Sequence, residues 1–268
     1  MPYSVTHREA FASTVRVTGP AALAVHADEA KAQSRVDTSD EDAVIRRHIA
    51  SAIAEVEKDS QRALVWQRQA LRLDCFPPVI ELEVLPVIKV ESVQYVASDG
   101  TTTTLATDQY RIDYQSAPVR IEPAYGLSWP ETRLVVNAVI VTYTAGYAAV
   151  MTAATTDVVT VTGYTPVNGD VWRVSNSGGA LPTGLSEHTD YYVIDASSQT
   201  CKLSLSAGGA AVDITATGSG TNFLGEVDPM ARQAVVVRVG MEYINRESMD
   251  YRNYKDGYWR LVDGLRWH

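Results

Sequence analysis

The feature that most constrains this fold is an abrupt change of texture near residue 148 and its reversal near residue 227. Residues 135–143 are dense in β-branched and aromatic side chains, and the run ends in Ala145-Gly146-Tyr147. Beyond it, across 148–224, Arg173, His188 and Lys202 are the only basic residues, and glycine, serine and threonine dominate. Short alternating runs recur at 158–162, 171–175, 191–195, 202–205 and 212–215, parted by Asn168-Gly169, Ser177-Gly178-Gly179 and Ala207-Gly208-Gly209. Evenly spaced short strands with glycine turns predict an independent β-sandwich or small barrel. Trp172, Tyr191, Tyr192, Ile194, Leu203 and Ile214 supply its core, so the stretch is no linker.

The flanks read differently. Residues 25–36 predict a short helix with Asp28 and Glu29 near its start and Lys31 and Arg35 toward its end, in accord with the helix dipole. Thr38 and Glu41 have capping-box spacing. Val44, Ile45, His48, Ile49, Ala52, Ile53 and Val56 then recur at helical steps. His48 falls on the apolar side, where a core histidine is the simpler reading than a ligand. From Ala63 the pattern becomes β: runs at 63–73, 79–84, 88–96, 103–105, 110–114, 119–121 and 135–143 predict a mostly antiparallel sheet. Helix signals return at Asp228-Pro229, an N-cap followed by proline at the first helical position. Residues 230–244 follow, apolar over so much of the circumference that the helix needs partners on several sides. The fold class expected is α+β: a small helical bundle with a mostly antiparallel sheet, plus an all-β sandwich or barrel. The division expected is 1–147, 148–226 and 227–268.

The totals narrow the function. Of the 268 residues, 46% are hydrophobic and 21% charged, a globular composition. No apolar run approaches the roughly 20 residues that span a bilayer, and no signal-peptide pattern opens the sequence, so a cytoplasmic site of synthesis is expected. Cys75 and Cys201 fit no metal or redox spacing. A formal charge of −9 argues against wrapping a phosphate backbone, and is compatible with a channel through which DNA slips.

Motifs for chemistry are missing. There is no phosphate-binding GxxxxGK[ST] loop, no GxGxxG after a strand, no HExxH and no GxSxG elbow. Histidines at 7, 26, 48, 188 and 268 have no ligand spacing. Asp40-Glu41-Asp42 is explained by a helix N-terminus, and Arg46-Arg47 by a solvated face or a subunit ion pair. No catalytic residue, metal or cofactor is therefore expected, although carboxylates assembled in space would leave room for a hydrolase. Trp172, Tyr191 and Tyr192 admit sugar stacking, but their alternation favours core positions. The last twenty residues hold three tyrosines and two tryptophans among arginines. Such residues are enriched at interface hot spots; the alternative is a tail that folds back on its own domain.

Several phrases, in order, resemble the head–tail connector (adaptor) family of tailed bacteriophages. They are EAKAQSRVD (29–37) with SDEDAVI (39–45), SQRAL (60–64), SVQYVASDG (92–100), YRID (110–113), YGLSWP (125–130), VTYTAGY (141–147) and AVVVRVGMEYINRE (234–247). Gln61 stands where the family frequently has glycine. The family passes from its AGY strand almost directly into the final helix, so the resemblance implies that 148–226 is an inserted domain. The stretch 168–185, with TDYYV (189–193), is similar to a β-module of phage tail and fibre proteins.

The resemblance further implies a homo-oligomeric ring, commonly dodecameric, docked under the portal protein. The ring would extend the channel for double-stranded DNA and offer a platform to a downstream neck or tail protein. The protein would then belong to the virion neck and assemble in the host cytoplasm. Candidate portal or neck contacts are Tyr254, Tyr258, Trp259, Arg260, Leu261, Leu265, Arg266 and Trp267. Candidate ring contacts are Arg46, Arg47, Arg238, Glu242 and Arg246, and acidic side chains are expected to face the lumen. Two other readings stay open: a carbohydrate- or receptor-binding phage protein acting through Trp172, Tyr191 and Tyr192, and a neck stopper or tail-completion protein.

Overall fold

The computed structural model describes residues 11–244 and 252–266. The fold is α+β, as expected. Its two compact units do not follow chain order. One joins the residues up to Gly19 to Gln67–Ala145; the other joins Pro20–Trp66 to Gly146–His268. The chain expectation placed its boundary at 147/148, two residues from the passage at 145/146, but the contact units group the early helices with the later β segment.

The first unit is β apart from a single 3-10 turn at Thr107–Gln109. Strands β1 (Ala12–Thr18), β2 (Gln67–Leu73), β4 (Val87–Val96), β5 (Thr102–Thr104) and β8 (Val139–Ala145) form an antiparallel sheet in the order β1-β2-β8-β4-β5. A smaller antiparallel sheet runs β3 (Ile80–Leu82), β7 (Val119–Pro123), β6 (Tyr110–Asp113). The period-2 pattern explains the central place of β8. Val139, Val141, Tyr143 and Ala145 are buried, while Ile140, Thr142 and Thr144 between them are half-buried. Every expected strand of this block is present. β1 escapes sequence reading because all of it but Ser13 is exposed, so no core-facing alternation marks it.

The second unit wraps four helices against a barrel. Strands β9 (Ala148–Ala153), β10 (Val159–Val161), β11 (Val171–Trp172), β12 (Val174–Ser177), β13 (Tyr191–Ser197), β14 (Thr200–Ser204) and β15 (Thr221–Gly225) form one sheet in the order β11-β13-β14-β10-β9-β15-β12. The two outermost strands, β11 and β12, are separated in sequence by Arg173 alone. The sheet's ends are thus one continuous stretch of chain, which curls it into a nearly closed barrel. Residues 212–215, expected as a strand, form none: Ala211 just before them bridges to Ser204, Val212 N donates to the Leu203 carbonyl, and Ile214 N donates to the Asp157 carboxylate. β9 and β15 were not expected. Phe223 and Ala148 lie in the helical core while Met151 and Leu224 are also buried, so both faces are covered and no polar alternation remains.

Helices α1 (Ala27–Ser34), α2 (Asp42–Ser60), α3 (Pro229–Ile244) and α4 (Arg252–Arg266) share a hydrophobic cluster. Ile45, Ile49, Ala52, Ile53 and Val56 of α2 face Ala231, Ala234, Val235 and Val239 of α3 within it, and Val65, Ala148 and Phe223 continue it to the barrel wall. α3 starts as its sequence predicts: the Asp228 carboxylate accepts from the N–H groups of Met230 (2.8 Å) and Ala231 (3.2 Å). α2 does not. No side chain caps it, Glu41 itself occupies the N-cap, and the capping box expected from Thr38 and Glu41 is not formed. Glu41 instead accepts from the Tyr243 hydroxyl, and Asp42 takes Lys31 Nζ at 2.8 Å.

Two backbone positions decide how α2 ends and how the barrel begins. Gln61 terminates α2 at φ 55°, ψ 32°, the left-handed conformation that side chains resist. Gly146 sits at φ 140°, and a Cβ there would lie 2.7 Å from Trp66 N and Val65 C. The glycine of the AGY phrase is therefore required by close backbone approach, beside the hydrogen bond from Trp66 N to Ala148 O at 2.9 Å. These two positions predict opposite responses. Gln61→Gly removes a left-handed side chain on an exposed site and should stabilise by about 0.5–1 kcal/mol, raising Tm by roughly 2–4 °C. Gly146→Ala should destabilise by roughly 1–3 kcal/mol. Thermal unfolding of the two variants beside the parent checks both signs; a Gly146→Ala protein of unchanged Tm would contradict the close approach.

Candidate functional site

Three of the phrases, EAKAQSRVD, SQRAL and AVVVRVGMEYINRE, supply residues to the seams of the helical unit, where helices meet one another and the barrel, whereas SVQYVASDG, YRID and YGLSWP lie in the first unit. The first seam lies at the C-terminus of α2. Ser60 Oγ donates to the Val56 carbonyl (2.6 Å), and Glu57 Oε1 accepts from Leu64 N (2.9 Å). Arg62, only 6% exposed, donates through Nε to the Leu265 carbonyl at 3.0 Å. A guanidinium on the last carbonyls of α4 satisfies groups that a helix end leaves unpaired. Tyr258 Oη donates to the Asp59 carboxylate (3.1 Å), and Arg266 Nε to the Asp59 carbonyl (2.5 Å). Each residue of SQRAL except Ala63 thus caps α2 or anchors α4.

A second seam joins α1, α3 and the barrel. Ser177 Oγ donates to Glu29 Oε2 at 2.6 Å, and Arg232 Nη2 donates to the same oxygen at 2.8 Å. Ser177 Oγ also accepts from His26 N (2.7 Å), and Arg232 reaches the Asn176 carbonyl at 3.3 Å. His26 caps α1 through Nδ1, accepting from Asp28 N at 3.3 Å. Its ring fills the space over Gly178, where a Cβ would lie 2.3 Å from Nδ1. An open cleft of ≈ 590 Å³ beside these groups is lined by Glu29, Asn176, Glu187 and Arg232 among others. It contains carboxylates and a guanidinium already engaged with each other, and no nucleophile beside a base.

A third seam runs between α2 and α3. Arg238 pairs with Glu55 and, one turn on, with Glu242 at 3.3 Å; Glu242 Oε2 meets His48 Nδ1 at 2.8 Å. The histidine that sequence periodicity left on the apolar side is therefore held by a carboxylate from a helix 194 residues away. Among the described residues no group of three or more His, Cys, Asp or Glu side chains could hold a metal ion, and no helix is long and apolar enough to cross a membrane.

The sequence candidates fall in different environments. In α4, Tyr258 and Leu265 are buried in the helical core, Trp259 and Leu261 are half-buried, and Arg260 and Arg266 are exposed. Arg266 lies over the Trp259 ring, 6.0 Å from its centroid. Tyr254 belongs to the first turn of α4, while Trp267 lies outside the described residues. Arg46 and Arg47 are exposed on α2; Arg238 and Glu242 are engaged within the bundle; Arg246 lies outside the described residues. Tyr191 is 1% exposed and its hydroxyl accepts from Ser186 N. Trp172 packs edge-on against Trp66 (centroids 5.4 Å apart) and Tyr164 (6.2 Å), and Tyr192 is half-buried. Trp66, from outside 148–226, thus completes the aromatic cluster that begins within it. The sequence signal for this role was available in Trp66 itself, an aromatic at the helix-to-strand passage, but its partner is 98 residues away at Tyr164.

Burial, aided by the charge of Asp59, pushes the Tyr258 hydroxyl above its ordinary value. A tyrosine whose folded pKa is raised contributes stability that is present below about pH 10, where the unfolded chain also keeps its proton, and is lost as pH rises above it. Tyr258→Phe should flatten the alkaline limb of Tm against pH. It should also cost roughly 1–3 kcal/mol at neutral pH through the lost bond to a charged acceptor. An alkaline limb identical to the parent's would show that α4 is not seated through this hydroxyl.

No protein-family model and no curated protein matches the chain. Solved structures do resemble it in fold. A chain from the neck of an empty gene transfer agent (GTA) particle computed with C6 symmetry aligns with TM-score 0.53 at 19% identity, over 95% of each chain. A chain from the virion of a native GTA particle gives TM-score 0.53 at 19% identity over 94% of each. A chain from the neck of a native GTA particle computed with C12 symmetry gives 0.51 at 18% identity, over 95% of this chain and 94% of that one.

Proposed function

We propose that this chain is a structural neck component of a tailed-phage-like particle, a head–tail connector that forms a ring under the portal. The observation that carries the reading is the extent of the likeness. It covers 95% of both chains for a protein from a particle neck, so helices, sheets and barrel are matched together rather than one common domain alone. The collinear phrases from EAKAQSRVD to AVVVRVGMEYINRE support it from the sequence side, and the seams described above are structural rather than catalytic. A role without turnover follows from the same reasoning.

In this reading copies of the chain surround a channel for double-stranded DNA, dodecameric in the finer form, and bridge the portal to a downstream neck or tail protein. Repeated head-to-tail contacts close such a ring. The exposed part of α4, with Arg260 and Arg266 beside Trp259 and Leu261, faces the portal; many identical anchors gain avidity. Arg46 and Arg47 are the ring contacts that remain exposed. Residues 148–226 are an insertion into the connector chain that has been built into its helical core through Phe223 and Ala148. The protein acts in the virion neck after assembly in the host cytoplasm.

The test is native mass measurement of the chain alone and with portal, followed by imaging of the complex. A closed ring matching the portal's symmetry is expected. Arg260→Glu with Arg266→Glu should weaken portal binding at least tenfold. A chain that stays single beside portal, and is absent from particle necks, would overturn the reading.

A further inference from the structure

Two apolar patches of this chain face water, one in each unit. The first is the loop 124–138 between β7 and β8. Tyr125 is 96% and Leu134 83% exposed, and Leu127 and Val136, two residues on from each, are exposed as well. The backbone of this loop is nevertheless fixed. Ala124 N donates to the Gln109 carbonyl (2.9 Å), Arg133 N to the Val96 carbonyl (2.9 Å) and Asn137 N to the Asp74 carboxylate (2.8 Å). Trp129 stacks on Phe76, centroids 4.7 Å apart, and donates through Nε1 to the Pro78 carbonyl at 3.3 Å. An apolar loop held open to water in this way has already lost the conformational freedom that binding would otherwise cost.

The second patch is on the outer face of the barrel. Tyr191 and Val193 of β13 are buried, so the half-buried Tyr192 and Ile194 turn outward. Val171 of β11 is exposed directly opposite Tyr192. The turn 167–170 is held beside β13, with Gly169 N donating to the Val193 carbonyl (2.9 Å) and Ala196 N to Asn168 Oδ1 (2.8 Å), which brings the exposed Val167 to the same strip. Leu205, also exposed, follows Ser204, the register partner of Tyr192. One patch is therefore a loop and the other a strand face.

We propose that the loop 124–138 of one copy seats on the barrel wall around Tyr192 of the next. The occupant of each patch is a second copy of this chain. A ring closed by rotation makes head-to-tail contacts, so every copy needs two unlike surfaces, and these two supply them. Charge agrees with this pairing. The chain carries a formal charge of −9, so its copies repel wherever acid faces acid. The loop holds Glu131 with Arg133, and the wall holds Asp195 paired with Lys202 at 3.6 Å, so each patch mixes the two signs. The four apolar side chains of the loop offer on the order of 500 Å², against roughly 800 Å² per partner in a standard stable interface. That is too little to hold two free copies together, and it suits a contact repeated at every junction of a ring gathered on portal. The contact rests on the neck reading, which supplies the ring.

The full chain assembled with portal tests it. Tyr125→Ser with Leu134→Ser on the loop, and Val167→Ser with Leu205→Ser on the wall, replace exposed side chains and should leave Tm within a few degrees of the parent. Each pair should reduce ring formation roughly tenfold or more. Leu134→Cys combined with Leu205→Cys should give, with a flexible bismaleimide, a covalent ladder extending well beyond dimer; either single variant should give no more cross-linking than the parent. Rings that form normally from either serine variant would overturn the contact and leave the neck reading standing. So would rings that give no ladder when Tyr125 or Leu134 is paired, as cysteine, with Val167 or Leu205. A cross-linked dimer from Leu134→Cys alone would overturn it in favour of loop-to-loop pairing. A parent chain that forms no ring on portal would overturn both.

Discussion

Burying α3 is the constraint on which the second unit depends. Ala231, Ala234, Val235, Val236, Val239 and Met241 are all buried, around more of the helix than one neighbour can cover. α1, α2 and α4 each pack against it. At roughly 25 cal/mol per Å² of apolar surface removed from water, the loss of any one of these neighbours would expose far more than a single interaction could offset. The three consecutive valines, weak helix formers in isolation, are held helical because tertiary burial outweighs propensity.

Polar groups then fix which neighbour sits where. Apolar contact is non-directional, so the core alone does not set the register of four helices on a barrel. The guanidinium of Arg62 on the end of α4, the Glu29–Arg232–Ser177 junction, and the Glu55–Arg238–Glu242–His48 chain each join segments far apart in sequence. A buried or half-buried charge left without its partner is costly, which makes alternative registers unfavourable. Of the phrases that resemble the family, EAKAQSRVD, SQRAL and AVVVRVGMEYINRE contribute Glu29, Arg62, Arg238 and Glu242 to these junctions, while SVQYVASDG, YRID and YGLSWP lie in the first unit.

The charged groups at these junctions are engaged in joining elements, and the described clefts bring together no nucleophile and base. Arg46 and Arg47 of α2 and Arg260 and Arg266 of α4 remain exposed.

The sequence by itself determined the local elements. Helical periodicity placed α2, the Asp228-Pro229 cap placed the start of α3, and period-2 alternation placed β2 to β8, because these signals act over a few residues. Local spacing misled at Thr38 and Glu41, where Tyr243 from α3 claims the glutamate, and at 212–215, where only isolated bonds form. β9 and β15 were hidden because burial on both faces removes alternation. Only the tertiary structure decided that the early helices share a core with the barrel, that Trp66 completes an aromatic cluster with Tyr164 and Trp172, and that Tyr258 and Leu265 turn inward. The physical reason is range: propensity and periodicity are properties of neighbours along the chain, whereas these pairings join residues about 100 to 200 positions apart, and a one-dimensional pattern carries no record of which distant surface will cover an apolar face.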